Sequence, residues 1–278
     1  MIPPIADRFV AGESPAEALE HVRRLNDRDV KAIINLLGEH HNDRDAVTAD
    51  ATEYRQLVDD IAGSRLAACI SVKPSQLGLD LGEDTFRAEL ATIVDVAADR
   101  GVFVWIDMED HTTTDATLEA FEAVAREHGG GVGVCVQANL RRTRADISRL
   151  AAVPGKVRLV KGAYDPPADV AYTDSTRVDQ EYRTLLEDAF ERDDGGIAVG
   201  RHDPAMLEHA KALHERYGTD FEIQMLMGVR EDAQYDLADE YEVWQYVPYG
   251  KRWKSYFYRR VTERTANLRF ALRAVVSG

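Results

Sequence analysis

Two adjacent arginines, Arg259 and Arg260, stand near the end of the chain in the stretch WKSYFYRRVTERTAN (253–267). Neighbours on a helix point about 100° apart, so two planar guanidinium forks there could grip one small carboxylic acid from two directions. Tyr256 and Arg260 are four residues apart, as are Arg259 and Glu263, so aromatic ring, cation and acid form one helical stripe. An exposed basic face is the bland alternative. The stripe follows YVPYG (246–250), a tight turn out of a strand-like run, and that placement favours a binding site.

A second constellation is VRLVKGAY (157–164). Strand alternation puts Arg158 and Val160 on one face and Leu159 and Lys161 on the other. Lys161 has three readings: a Schiff-base nucleophile, a donor to an anionic cofactor, or a structural cation paired with the carboxylates of DMED (107–110). Position alone favours the structural one. Asp107, Glu109, Asp110 and His111, together with His202 and Asp203, suggest a divalent cation. No HxH and no second strand-borne carboxylate completes a ligand set, so no metal is expected. His202 lies just before a predicted helix, where it could instead serve an anion held by the helix dipole.

The elements that must position these groups recur with a clear rhythm. Apolar or β-branched runs fall near 30–37, 67–73, 102–108, 132–138, 157–163, 196–200, 221–227 and 242–248, each followed by an amphipathic stretch. Several are apolar almost throughout, as parallel strands covered on both faces require. Ser14-Pro15-Ala16-Glu17 reads as a capping box with Pro at the first helical position, and Asp203-Pro204 opens a later helix in the same way. Eight such units predict a closed (β/α)₈ TIM-type barrel. It should form a single domain over 1–278, with 1–30 as a short N-terminal helical extension and the last helix over the C-terminal face. An open doubly wound sheet is the alternative. Against it, no GxGxxG follows the first strand, and the glycines at 129–131 and 133 precede a strand. In such a barrel the chemistry sits where strands end. Glu39, Lys73, Asp107, Gln137, Lys161, His202, Gln224 and Tyr246 fall there or close by.

The bulk composition narrows the function. A net charge of −15 over 278 residues excludes a basic nucleic-acid stripe. The chain holds 7 Lys and 27 Arg against 28 Asp and 21 Glu. Acid excess with little Lys predicts a surface adapted to high salt, a halophilic character, although an ordinary acidic cytosolic protein is the plainer reading. No run of eighteen apolar residues and no secretion signal is visible, so a cytoplasmic location is expected. Cys69 and Cys135 lie in apolar runs and read as buried free thiols.

Together the segments VKPSQLGL (72–79), VFVWIDMED (102–110), VQANLRRT (136–143), VRLVKGAY (157–164), RHDP (201–204), FEIQMLMGVR (221–230), YVPYG (246–250) and YFYRRVTERTAN (256–267) resemble the proline dehydrogenase family, flavoenzymes of proline catabolism. They run in family order and cover most of the chain after residue 30. The resemblance implies FAD as cofactor and L-proline as substrate. It implies that Lys73, Arg259 and Arg260 bind the proline carboxylate and that Asp107 orients them. Tyr246 and Leu226 would pack on the pyrrolidine ring, with Ala163 beneath, and Glu39 would pair with Arg259 to close the site. Arg158 would lie at flavin N5, with Gln137 and Lys161 at the polar edge of the ring. Gly162, His202, Gln224 and Glu263 match further FAD-binding positions. Two departures stand out. Arg201 replaces a small hydroxyl residue near the FAD phosphates, and the acidic stretch 172–182 leaves Ser175 and Arg177 as the adenosine-side candidates.

The reaction so implied moves a hydride from proline C5 to flavin N5 and yields Δ1-pyrroline-5-carboxylate. A membrane quinone would take the electrons, which allows peripheral attachment at the inner face of the cell membrane. A separate pyrroline-5-carboxylate dehydrogenase would take the product, since the chain is too short to carry one. The rivals are a Schiff-base aldolase using Lys161 and a non-catalytic acidic barrel that binds an amino acid or a partner protein.

Overall fold

Eight parallel strands close on themselves in chain order in the computed structural model, which describes residues 6–192 and 196–258. The strands are β1 (Lys31–Leu36), β2 (Ala68–Val72), β3 (Val104–Ile106), β4 (Val132–Gln137), β5 (Lys156–Val160), β6 (Ile197–Gly200), β7 (Phe221–Leu226) and β8 (Glu242–Tyr249). Each lies within or almost within one of the eight runs predicted from periodicity. Closure is made by β1 against β8, with Lys31 opposite Trp244 and Leu36 opposite Tyr249.

Helices alternate with the strands: α1 (Pro15–Asn26), α2 (Arg44–Ser64), α3 (Glu83–Arg100), α4 (Thr114–His128), α5 (Thr143–Leu150), α6 (Ser175–Arg192), α7 (Pro204–Tyr217) and α8 (Glu231–Ala238). The start of α1 follows its sequence signal. The Ser14 side chain accepts from the Glu17 amide, and Glu17 reaches back to the Ser14 backbone. The start of α7 does likewise: Asp203 accepts from the amides of Ala205 and Met206, with Pro204 next in line. The alternative of an open doubly wound sheet is thereby overturned.

The main core lies between strands and helices. Ile34, Ile70, Ile106, Val134, Leu159, Val199, Ile223 and Val247 point outward from the barrel into it, against Leu57, Phe86, Leu90, Phe121, Tyr182 and Leu186 from the helices. Full burial of such a side chain contributes roughly 1.5–3 kcal/mol, so this layer supplies most of the folding drive. A polar insertion is Tyr54 of α2, whose hydroxyl donates to the Ser71 carbonyl at 2.9 Å and accepts from the Leu36 amide at 3.2 Å. That phenol ties β1 to β2.

A separate cluster closes the floor of the barrel lumen: Ile33, Cys69, Trp105 and Ala198, with Phe103, Trp244 and Tyr246 against them. Gly133 makes room for it, since a Cβ there would lie 2.5 Å from the Trp105 ring. Both cysteines are buried free thiols, as expected. The N-terminal residues Ala6, Phe9 and Val10 pack with Leu37, Trp253 and Tyr256, beside the ends of β1 and β8. Residues 253–258 are helical and begin the last predicted helix.

Candidate active site

Above the aromatic floor the lumen turns polar, and Asp107 is its hub. It leaves β3 with its amide donating to the Val72 carbonyl. Its Oδ1 accepts from the Ser71 hydroxyl at 2.7 Å and from Arg158 Nη2, and its Oδ2 accepts from the Tyr246 hydroxyl at 2.7 Å. Three strands, β2, β5 and β8, therefore meet at one carboxylate. Arg158 points inward and is buried, with its guanidinium 5.0 Å above the Trp105 ring. Burial opposes its charge, but Asp107 beside it prevails and lifts its pKa above the ordinary guanidinium value. Burial and the neighbouring Asp107 push the Tyr246 phenol well above its usual range, so it stays a hydrogen-bond donor.

The predicted orientation of Lys73 by Asp107 is not what the structure gives. Lys73 Nζ lies 3.9 Å from Glu39 Oε2, and Asp107 is engaged by Arg158, Ser71 and Tyr246. The physical reason is competition for the acid: the Asp107 oxygens are taken by the Arg158 guanidinium, the Ser71 hydroxyl and the Tyr246 phenol, while the loop after β1 sets Glu39 against Lys73. Glu109 is engaged elsewhere too. It is buried and accepts from the Ser75 amide at 2.7 Å and the Ser75 hydroxyl at 2.8 Å, while desolvation raises its pKa. Asp110 caps the short 3₁₀ turn over 111–113 through the Thr112 amide. The carboxylates that suggested a metal thus face three different ways.

The other half of the rim carries cations and amides. Gln137 closes β4, and its Nε2 donates to the Glu109 carbonyl at 2.7 Å. Lys161, just beyond β5, pairs with Asp179 of α6 at 3.2 Å, which Arg201 joins at 3.0 Å. Lys161 is thus held by a carboxylate of α6, not by those after β3. Gly162 has a φ of +114°, and a Cβ there would fall 2.2 Å from Asn139 Oδ1. Ala163 follows it in the same loop. His202 Nε2 accepts from the Leu226 amide at 2.8 Å. The first-turn amides of α7 are taken by Asp203, so the expected anion at that helix end meets donors already engaged. Gln224 of β7 bridges Arg158 and Glu222. Ser175 opens α6, and Arg177 is exposed in an ion pair with Glu181 and lies 5.1 Å from the Tyr172 ring centre. Arg259, Arg260 and Glu263 lie outside the described residues.

Sequence reasoning missed Ser71, Asn139, Lys156 and Glu222. Alternation along β2 and β7 could have shown two of them, since Ser71 shares a face with Lys73 and Glu222 with Gln224. Asn139 has no such signal. Its Oδ1 is buried and lacks a hydrogen-bond partner among the described residues, as does Arg201 Nε.

The family model described as proline dehydrogenase matches residues 18–273. A proline dehydrogenase from Deinococcus radiodurans is 36% identical over 99% of this chain and 91% of its own length. Proline dehydrogenase 1 of Bacillus subtilis is also 36% identical, over 98% of this chain and 90% of its own. Among solved structures, proline utilization A from Bdellovibrio bacteriovorus, inactivated by N-propargylglycine, superposes with a TM-score of 0.86 at 24% identity over 94% of this chain. The chain spans 33% of that much longer protein, so the likeness speaks to the fold.

Proposed function

The chain belongs to the proline dehydrogenase family and oxidises proline to Δ1-pyrroline-5-carboxylate, and on that premise we propose that it does so with FAD seated on the β4–β7 side of the barrel rim and L-proline on the β1–β3 side. The donor set fits the cofactor. Gln137, Arg158, Lys161, His202 and Gln224 offer amides, cations and an imidazole along four consecutive strand ends, the chemistry that a ring rich in acceptors and a diphosphate call for. The buried, unpartnered Asn139 Oδ1 and Arg201 Nε beside them suit a ligand's donor and acceptor. The observation that carries the reading is the convergence of Asp107, Arg158 and Tyr246 in one lumen.

When bound, FAD supplies the hydride acceptor at N5 for the hydrogen leaving proline C5. The protein's part is orientation and electrostatics. Arg158, held by Asp107, keeps a fixed positive charge under the rim, where it stabilises negative charge developing on the ring. Gly162, packed closely on Asn139, would bring its backbone to the cofactor, and Ala163 would lie beneath the substrate ring. Ser175 and Arg177 would face the adenosine side, and Glu263 would add a further contact. Lys73, with Arg259 and Arg260, binds the proline carboxylate, and fixing that end places C5. Tyr246 and Leu226 pack on the pyrrolidine ring. Glu39 closes over the substrate by pairing with Arg259 and so excludes water. The Lys73–Glu39 pair supports this, since it already places an acid over the substrate lysine.

A Schiff-base aldolase has no support. Lys161 sits in an ion pair with Asp179, not in the apolar pocket that activates an amine. Among the described residues no helix is long and apolar enough to cross a membrane. The family reading has electrons pass to a membrane quinone with the enzyme attached at the membrane surface, and the product pass to a separate pyrroline-5-carboxylate dehydrogenase. The acid-rich, lysine-poor composition supports work in concentrated salt.

The test is direct. Purified protein should show the visible bands of an oxidised flavin, and these should bleach when L-proline is added without oxygen. A fully occupied flavin that proline fails to reduce would remove the substrate assignment.

A further inference from the structure

We propose that Glu222, anchored by Lys156, is a positioning residue that fixes the amide of Gln224 and through it the guanidinium of Arg158. The proposal rests on the FAD reading above, which places that guanidinium next to the redox ring.

Glu222 and Gln224 are two apart on β7, so both face the lumen. Glu222 is buried, and its two oxygens have two different partners. Oε2 accepts from Lys156 Nζ at 2.6 Å, and Oε1 accepts from Gln224 Nε2 at 2.5 Å. Gln224 Oε1 in turn accepts from Arg158 Nη1 at 3.1 Å. Lys156 comes from β5, on the far side of β6, with its ammonium 5.5 Å from the Phe103 ring centre.

The order of these contacts is dictated by donor and acceptor type. An ionised carboxylate only accepts, and a guanidinium only donates. The amide between them has one end of each kind, so a single orientation satisfies both neighbours. Turning it over would set NH₂ against guanidinium and carbonyl against carboxylate, two repulsive contacts in a buried place. Glu222 thus determines how Gln224 presents itself, and Gln224 fixes one edge of the guanidinium while Asp107 fixes the other. Lys156 compensates the buried carboxylate, without which Glu222 would lack a charge partner at the barrel floor.

The experiment compares wild-type holoenzyme with Glu222→Gln and with the double variant Lys156→Met/Glu222→Leu. A glutamine at 222 has one acceptor oxygen for two donors, Lys156 and the Gln224 amide, and a leucine has none, so in both variants the Gln224 amide is held from the Arg158 side alone. The readouts are the two-electron potential of bound FAD, the rate of flavin reduction by saturating proline in a single turnover, KM for proline and the thermal midpoint. Glu222→Gln should lower the potential, because positive charge leaves the reduced ring, and should slow reduction by about 10- to 100-fold, as a small misplacement does. KM should hold. The midpoint should fall, since the half-buried Lys156 loses its carboxylate partner. The double variant removes that stranded cation and should regain the midpoint while keeping the low potential and slow reduction. If the single variant does not fold, the double variant decides. Wild-type potential and reduction rate in the folded variants would make Glu222 only the partner of Lys156 and overturn the proposal. A double variant that does not fold would place the pair in the scaffold and overturn it equally. Failure of the underlying reading is seen separately, in wild-type protein whose flavin proline does not reduce.

Discussion

The two faces of the same eight strands are built on different rules. Outward residues such as Ile70, Ile106, Leu159 and Ile223 enter an aliphatic layer in which contact area matters and direction hardly does. Inward residues such as Ser71, Asp107, Arg158, Gln224 and Tyr246 form a chain of directional bonds in which each group has one workable arrangement. The outer layer therefore carries stability and tolerates changes of similar volume. On the proposed reading the lumen carries the chemistry, and its directional bonds make its parts not interchangeable.

This division fails most visibly if its two extremes behave alike. Asp107→Ala removes the only acid bonded to Arg158 among the described residues and also releases Tyr246 and Ser71. Breaking a buried pair costs roughly 3–5 kcal/mol. On the flavin-loaded fraction, kcat/KM for proline should fall on the order of 100-fold or more. Steady-state kinetics normalised to bound flavin would show this, and wild-type values would reduce the lumen network to scaffold. On the outer face, Phe86→Ala should lower stability by about 3–5 kcal/mol. Its kcat per bound flavin should stay at the wild-type value at low temperature. Denaturant unfolding and turnover on one preparation test both halves, and a large loss of kcat would show that the two layers are coupled.

The arginine pair sharpens the comparison beyond the described residues. Arg260→Met keeps much of the stem and loses the fork, which costs roughly 2–5 kcal/mol for a buried charge partner. The expected fall in kcat/KM is about 30-fold or more, chiefly in KM, with the flavin spectrum intact. An unchanged KM would return that helix stripe to a solvated face.

The smallest effect concerns pH at the outer layer. Burial lowers the pKa of His21 below its ordinary value, and its bond to Gln245 at 2.7 Å opposes that in part. The unfolded chain then takes up the proton first. Stability from neutral His21 is full above about pH 6.5 and is lost as pH falls below it. The thermal midpoint should drop between pH 7 and pH 5 by more in wild type than in His21→Gln. Equal slopes would assign the acid sensitivity to other groups.

Much of this was legible without coordinates. Period-two and apolar runs located all eight strands because the outer layer imposes its pattern on the sequence directly. Alternation also set Arg158 and Leu159 on opposite faces, but only closure of the barrel decides that Arg158 is the inward one. The partners of Asp107 did not, because Ser71, Arg158 and Tyr246 lie on three strands that meet only once the barrel has closed. The same holds for Lys156 and Glu222, which are 66 residues apart. Lys73 was placed with Asp107 because sequence cannot say which of two nearby acids a lysine leans toward; the loop after β1 brings Glu39 to it instead.

Gly133 now acquires a second meaning. Its missing side chain lets the Trp105 indole lie low in the barrel, and the Arg158 cation rests 5.0 Å above that indole. The floor works as a shim beneath a charge. Any residue larger than glycine at 133 would press on the indole, and through it on the cation, so a mere change of volume at the bottom of the barrel would be felt above it as a displaced charge.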